Sequence, residues 1–156
     1  MITDFQTPAK SITRYRQEKG GDDVIDVIMY SDGLGRVIEK VKKYDRGDGG
    51  EGFEWWIYSG MKKYDRAGRV KEVGQVVYAP FNYYYKFTEL RNPIRYKYDG
   101  LGRVLRIEYA DGSVRRNIYG RDRKIEIDRN GVKKEYVYDS FGRVTNVIEY
   151  YAPGVG

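Results

Sequence analysis

The side chains of this 156-residue chain with types suited to acid–base chemistry are its carboxylates. The chain has no His and no Cys. That removes Ser-His-Asp and Cys-His nucleophilic arrangements, zinc sites of Cys/His type and any disulfide framework. A glycosidase needs only two carboxylates, and the most regular acids are Asp32, Asp65, Asp99 and Asp139. Each has an arginine four places on: Arg36, Arg69, Arg103 and Arg143. This regularity argues against catalysis, because an active site is a single departure from a repeat and these acids are its most regular feature. Turn capping with a local ion pair is the reading, with no catalytic residue, no cofactor and no enzyme. There is no Gly-x-x-x-x-Gly-Lys-Ser/Thr phosphate loop. Gly33-x-Gly35 and Gly100-x-Gly102 sit in turns with no helix after them, so they do not read as a dinucleotide site.

Two further groups could bind something. Asp45, Asp48 and Glu51 lie on a glycine-rich stretch that offers oxygen ligands of the kind calcium uses. Their spacing is not that of an EF-hand, and the expectation is an exposed flexible loop with no metal. Arg46-Gly47-Asp48 in the same stretch matches a cell-attachment tripeptide, a match short enough to arise by chance. The aromatic concentrations are Trp55-Trp56 and Tyr83-Tyr84-Tyr85. Such rings can stack on sugars or bases. Adjacent residues of a strand point to opposite faces, so neither run makes one flat platform alone. Packing is the main expectation for them, and a ligand surface the alternative.

The elements that must place these side chains follow from a repeat. The unit is Tyr-Asp-x-x-Gly-Arg-Val: Tyr64 to Val70, Tyr98 to Val104 and Tyr138 to Val144, with a fourth copy at Asp32, Gly35 and Arg36 whose tyrosine, Tyr30, stands one place early. The aspartate can accept hydrogen bonds from N–H groups two and three residues on. The two variable residues suit the right-handed positions of a type I turn. The glycine (Gly35, Gly68, Gly102, Gly142) then takes the left-handed conformation, which costs a residue with Cβ about 1–2 kcal/mol. Together these make a type I turn with a G1 bulge, joining two strands of a hairpin. Asp111-Gly112 and Asn130-Gly131 read as a second chemistry, two-residue hairpin turns alternating with the first. The copies of the first unit stand 33, 34 and 40 residues apart, so the elementary unit is one hairpin of about 20 residues.

Tyr-Asp-x-x-Gly-Arg units alternating with Asp-Gly turns resemble the RHS/YD-repeat family. Residues 31–36, Ser59-Gly60, residues 65–70, Pro80-Phe81 and residues 98–113 also look like the RHS-rich part of the toxin-complex B component, and teneurins carry similar repeats. The resemblance covers about residues 24–150. It implies a spiral β-sheet shell around a cavity, and an extracellular or cell-surface location. By the same comparison this chain is far too short to close a full shell. It also lacks the C-terminal core with autoproteolytic aspartates, so self-cleavage is not carried over.

Composition agrees with sheets of limited dry interior. The chain is 33% charged, and 17 tyrosines dominate its aromatics, each with a polar tip suited to a half-wet surface. The net charge is +6 and the pI about 9.3. Lys and Arg are interspersed with Glu and Asp along the strands, which reads as a solvated sheet face. An acidic glycan is the alternative partner, and nucleic acid a weaker one. No apolar run of about 18 residues exists to span a membrane. Residues 1–13 lack the apolar region of a secretory signal, so export would use another route, or the chain is a segment or a mature form.

The expected organisation is an arm over residues 1–10, a repeat domain over 11–150 and a tail over 151–156. Within the domain, strands are expected over 11–16, 24–30, 37–44, 54–64 with a bulge at Gly60, 70–78, 81–87 and a cleaner meander from Ile94. The fold class is all-β: an antiparallel meander of repeated hairpins in one curved, open sheet. The function expected is a structural building block. Its open edges would meet further copies of the chain or the remainder of a longer RHS chain. The alternative is a surface module binding acidic glycan or nucleic acid.

Overall fold

The computed structural model describes residues 8–16, 24–44, 55–84 and 89–150. The calcium-like and Arg-Gly-Asp readings at 45–51 lie outside them, as does Tyr85. The described residues hold thirteen strands: β1 (Ala9–Arg16), β2 (Val24–Ser31), β3 (Val37–Tyr44), β4 (Trp55–Ser59), β5 (Lys62–Tyr64), β6 (Val70–Val73), β7 (Val77–Ala79), β8 (Ile94–Tyr98), β9 (Val104–Glu108), β10 (Val114–Tyr119), β11 (Arg123–Ile127), β12 (Lys133–Tyr138) and β13 (Val144–Tyr150). The first begins two residues earlier than expected. No helix among them is long and apolar enough to cross a membrane.

The fold is all-β, antiparallel and open, as the repeat predicts. The expected single sheet is, however, two. One has the order β1-β2-β3-β4-β7 and the other β13-β12-β11-β10-β9-β8-β6-β5. The division falls at Gly60, where the left-handed backbone (φ 62°) turns the chain out of the first ladder. The expected bulged strand over 54–64 is thus two strands in different sheets. After the β5–β6 hairpin the chain returns: Gly74 N–H donates to the Met61 carbonyl at 2.9 Å, and β7 pairs with β4 in the first sheet. From β8 onward each strand pairs with the next, and the side chains alternate as period two requires. Ile94, Tyr96 and Tyr98 are half-buried while Arg95 and Lys97 are exposed.

The dry core sits under the first sheet. Ile28, Tyr30, Val41, Trp56, Tyr58 and Ala79 pack with Met61 and Leu90 from the connections, and Phe81 and Tyr84 lie against them. Residues 81–84 are irregular chain rather than the start of the strand expected over 81–87. The reason lies in their carbonyls. The single O–H of Tyr58 is shared between the Phe81 and Tyr83 carbonyls, at 2.9 and 2.8 Å, and the Tyr30 hydroxyl donates to that of Asn82 at 3.3 Å. Phenols from the sheet below thus take the acceptors that a ladder would have used, and the segment becomes a lid over the core. Among the described residues the buried side chains of the second sheet are polar, Asn117 and Glu135, and every residue of β13 is exposed.

Candidate functional site: the repeated turns and the contacts between them

All four Tyr-Asp-x-x-Gly-Arg copies close in one geometry. The glycine N–H donates to the aspartate carbonyl at 2.9–3.1 Å, and the aspartate N–H to the arginine carbonyl at 2.9–3.0 Å. The glycines have φ of 76°, 80°, 83° and 78°, and the strand register slips by one residue beside each turn. This is the type I turn with a G1 bulge. One detail differs from expectation. The aspartate Oδ1 accepts from residues two and four places on, not two and three: in the copy at Asp99, from Leu101 N–H and Arg103 N–H, both at 2.9 Å. The N–H three places on belongs to the glycine, which is already spent on closing the turn. The second carboxylate oxygen accepts the arginine Nε, at 2.7, 2.8, 2.6 and 2.7 Å along the chain.

The expected second turn chemistry is absent. A type I′ turn would need Asp111 or Asn130 in the left-handed region, and among the described residues Asn92 alone, outside glycine, is there. Instead Gly112 N–H donates to the Tyr109 carbonyl and Gly131 N–H to that of Asp128, as in the other copies. Asp128-x-x-Gly131 is therefore a fifth copy with Val132 in the arginine's place, and Asp128 Oδ1 accepts from Asn130 and Val132 N–H at 2.8 and 2.9 Å. The Asp-x-x-Gly spacing was the available signal. In the Tyr109 turn no aspartate fills the first place. Asp111 caps Ser113 N–H at 2.9 Å, and Arg129 reaches over from the neighbouring turn to pair with Asp111 and stack on Tyr109.

The copies also hold one another. The Arg36 guanidinium lies 4.3 Å from the Tyr64 ring centroid, Arg69 lies 4.7 Å from Tyr98, and Arg103 lies 4.4 Å from Tyr119. Each of these tyrosine hydroxyls donates to the carbonyl of the valine after that arginine: Val37 at 2.9 Å, Val70 at 2.7 Å and Val104 at 3.2 Å. Arg69 adds a bond from Nη1 to the Asp99 carbonyl at 3.0 Å. Extending the β6–β8 and β9–β10 registers places Tyr98 opposite Arg69 and Tyr119 opposite Arg103. The first contact joins the two sheets, since Val37 lies on β3 and Tyr64 on β5. Each copy thus orients the next. No spacing rule in the sequence signals this, because the intervals between partners are unequal.

The electrostatics follow from the geometry. The Asp32 carboxyl is held below its ordinary 3.8 by the Arg36 side chain, with the turn N–H groups adding to it. At Asp65 and Asp139 the arginine N–H leads and its side chain assists. At Asp99 partial desolvation pushes upward, and the bonds from Arg103 and Leu101 together outweigh it. Carboxylates so tied are permanent anions that cap turns, with no proton to lend near neutral pH. Among the described residues no group of three acids could hold a metal ion.

The aromatic candidates do not share one place. Trp56 is in the core at 8% exposure while its neighbour Trp55 faces outward at 37%. Tyr84 packs on the Tyr30 ring at a centroid distance of 5.3 Å, and the exposed Tyr83 stacks on Phe81 at 4.6 Å.

No protein-family model matches the chain, and no curated protein does. Solved structures do. The crystal structure of TcdB2-TccC3 matches 90% of the chain with a TM-score of 0.73 at 19% identity. That of TcdB2-TccC3-Cdc42 gives 0.73 at 18% over the same share. The structure of the Photorhabdus luminescens Tc holotoxin pore, with the TccC3-D651A mutation, gives 0.71 at 18%, again over 90%. The chain spans about 8% of the length of each of these matched chains. At such identity the likeness is one of fold, and it is consistent with the RHS/YD-repeat resemblance that the Tyr-Asp-x-x-Gly-Arg units carry.

Proposed function

We propose that the chain is a non-enzymatic structural building block of an extracellular or cell-surface assembly. Its sheets extend edge to edge into a tube, filament or shell. The observation that carries this reading is the copy-to-copy contact: the arginine–tyrosine stacks at β6–β8 and β9–β10 place the next hairpin, in a sheet whose last strand, β13, has an open edge. An unpaired edge with apolar residues on it is a template for another strand. Val144, Val147, Ile148 and Tyr150 are all exposed there. The likeness of fold to toxin-complex chains supports a structural role at the coarse level, and the partner is a further copy or the rest of a longer repeat chain. Sedimentation velocity with negative-stain microscopy tests it. Concentration-dependent assembly is expected, and a clean monomer across the micromolar range overturns it.

A second reading rests on one row of charges. Lys97, Arg106 and Arg116 stand directly opposite one another on three neighbouring strands. Like charges in that position repel. Arg106 has a partner in Glu108, while Lys97 and Arg116 have no ion pair among the described residues. An anionic polymer such as an acidic glycan would relieve the row. Salt-dependent retention on heparin resin, lost in Arg116→Glu, is the result this reading expects.

A further inference from the structure

Three of the four motif arginines have a tyrosine from the following hairpin on their guanidinium. The fourth does not. Among the described residues Arg143 meets only its own Asp139 and, at 5.2 Å, the Phe141 ring of its own turn. Its side chain is 75% exposed, against 29%, 33% and 44% for Arg36, Arg69 and Arg103. Among the described residues the Val144 carbonyl likewise lacks the phenol that Val37, Val70 and Val104 each receive. The edge of β13 therefore carries an acceptor with every part in place except the tyrosine.

The far edge of the other sheet carries a tyrosine with no seat. β1 is an outermost strand, and Tyr15 stands one residue from its end, 55% exposed, with no hydrogen bond or ring contact among the described residues. The tyrosines that fill the internal slots also stand at the ends of strands, antiparallel to the strand that the arginine begins. We propose that β1 of a second copy adds antiparallel to the free edge of β13, with its Tyr15 stacked on Arg143 and its hydroxyl donating to the Val144 carbonyl. This rests on the self-association reading above and gives it a register. Tyr15 opposite Arg143, as Tyr98 is opposite Arg69, sets Arg14 opposite Val144 and Thr13 opposite Thr145. The latter is a favourable cross-strand pair. With eight and seven residues the two strands are of matching length for a full ladder. The contact continues the ladder interface that the chain builds twice within itself, at β6–β8 and β9–β10. It is head to tail, because β1 and β13 are different surfaces, so it passes from copy to copy.

The test compares the wild-type chain with Tyr15→Ala, Tyr15→Phe, Arg143→Ala and the double variant Tyr15→Ala/Arg143→Ala by sedimentation velocity over a concentration series. Circular dichroism checks that each exposed-edge variant keeps its strands. A lost stacking and hydrogen-bonding contact of this type predicts an association midpoint about tenfold higher in each alanine variant. Tyr15→Phe should fall between them and wild type. The double variant should be no weaker than either single one, since both remove the same contact. If wild type associates and either alanine variant leaves the midpoint unchanged, this slot is overturned while edge-to-edge assembly stands. If wild type remains monomeric, both fall.

Discussion

The two sheets are held together by different means. The first has a dry core of eight buried side chains covered by a lid at 81–84. The described residues of the first also bury the polar Glu39; in the second the buried side chains are polar alone, and its strands are positioned at their ends by aspartate-capped turns and arginine–tyrosine stacks. Burying apolar surface is non-directional and tolerates many arrangements. A stack with a hydrogen bond at its far end fixes register. The contrast teaches that the repeat is a device for addressing strands: it says which strand goes next and in what alignment, and leaves cohesion to whatever covers the sheet.

The largest expected effect is on the first sheet. Tyr58 is fully buried, and its phenol is held far above its ordinary pKa by burial, with the Glu39 charge adding. Tyr58→Ala removes the ring and both lid bonds, and large-to-small core changes of this kind cost about 3–5 kcal/mol. Urea denaturation should show that loss as a lower midpoint. Tyr58→Phe keeps the packing and removes the one O–H that the two lid carbonyls share, for a loss of about 1–3 kcal/mol. Equal effects from the two substitutions would mean that the lid bonds, not the core, hold this region.

Acid should separate the regions. Asp32, Asp65, Asp99 and Asp139 all have depressed pKa values in the folded chain. Their contribution is present above the unfolded carboxyl pKa of about 3.9 and is lost as pH falls below it, through the folded values. Lowering the pH from about 5 to about 2 should reduce the protection from exchange, taken relative to the intrinsic rate at each pH, of the turn N–H groups of Leu101, Arg103, Phe141 and Arg143 before tryptophan fluorescence changes. Simultaneous loss of both signals would show that the repeats and the core unfold as one unit.

A single glycine gives a smaller effect. Gly102 has φ 83° with open space where a Cβ would go, so Gly102→Ala costs only the left-handed backbone, about 1–2 kcal/mol. Gly100, two residues earlier in the same turn, has neither positive φ nor a neighbour, and Gly100→Ala should be close to neutral. Thermal unfolding of the pair reads the conformational term alone. A neutral Gly102→Ala would remove the bulge as a determinant of the second sheet.

Much of this was legible in the chain. Asp65, Gly68 and Arg69 announce a turn because each residue type does something the turn geometry requires locally, and local requirements repeat in sequence. The division into two sheets was not legible. Gly60 looks the same whether it makes a bulge or a departure, and the outcome depends on Met61 finding a place among Leu90, Tyr58 and Val41. The lid was not legible because residues 81–84 have the composition of a strand, while their conformation is decided by two phenols on β2 and β4. Asn130-Gly131 is a strong local signal for a two-residue turn, and Asp128, two residues before Asn130, overrules it by capping a longer turn.

The smallest expected effect bears most directly on the difference between the sheets. Arg103 uses a flat guanidinium to donate to Asp99 and to cover the Tyr119 ring at once. Lysine keeps the charge but has no planar fork and stacks less well. Arg103→Lys should therefore lower stability by about 0.5–1 kcal/mol, the range of an exposed cation–π contact. Arg143→Lys removes a guanidinium on which no tyrosine is stacked among the described residues, and the stability of the monomer should not change. Measured together at low protein concentration, the two substitutions distinguish the repeat as an address from the repeat as a turn cap. If both lower stability equally, the bond to the aspartate is what matters and the stack is incidental. If only Arg103→Lys does, the stack on the next tyrosine is what the arginine is for.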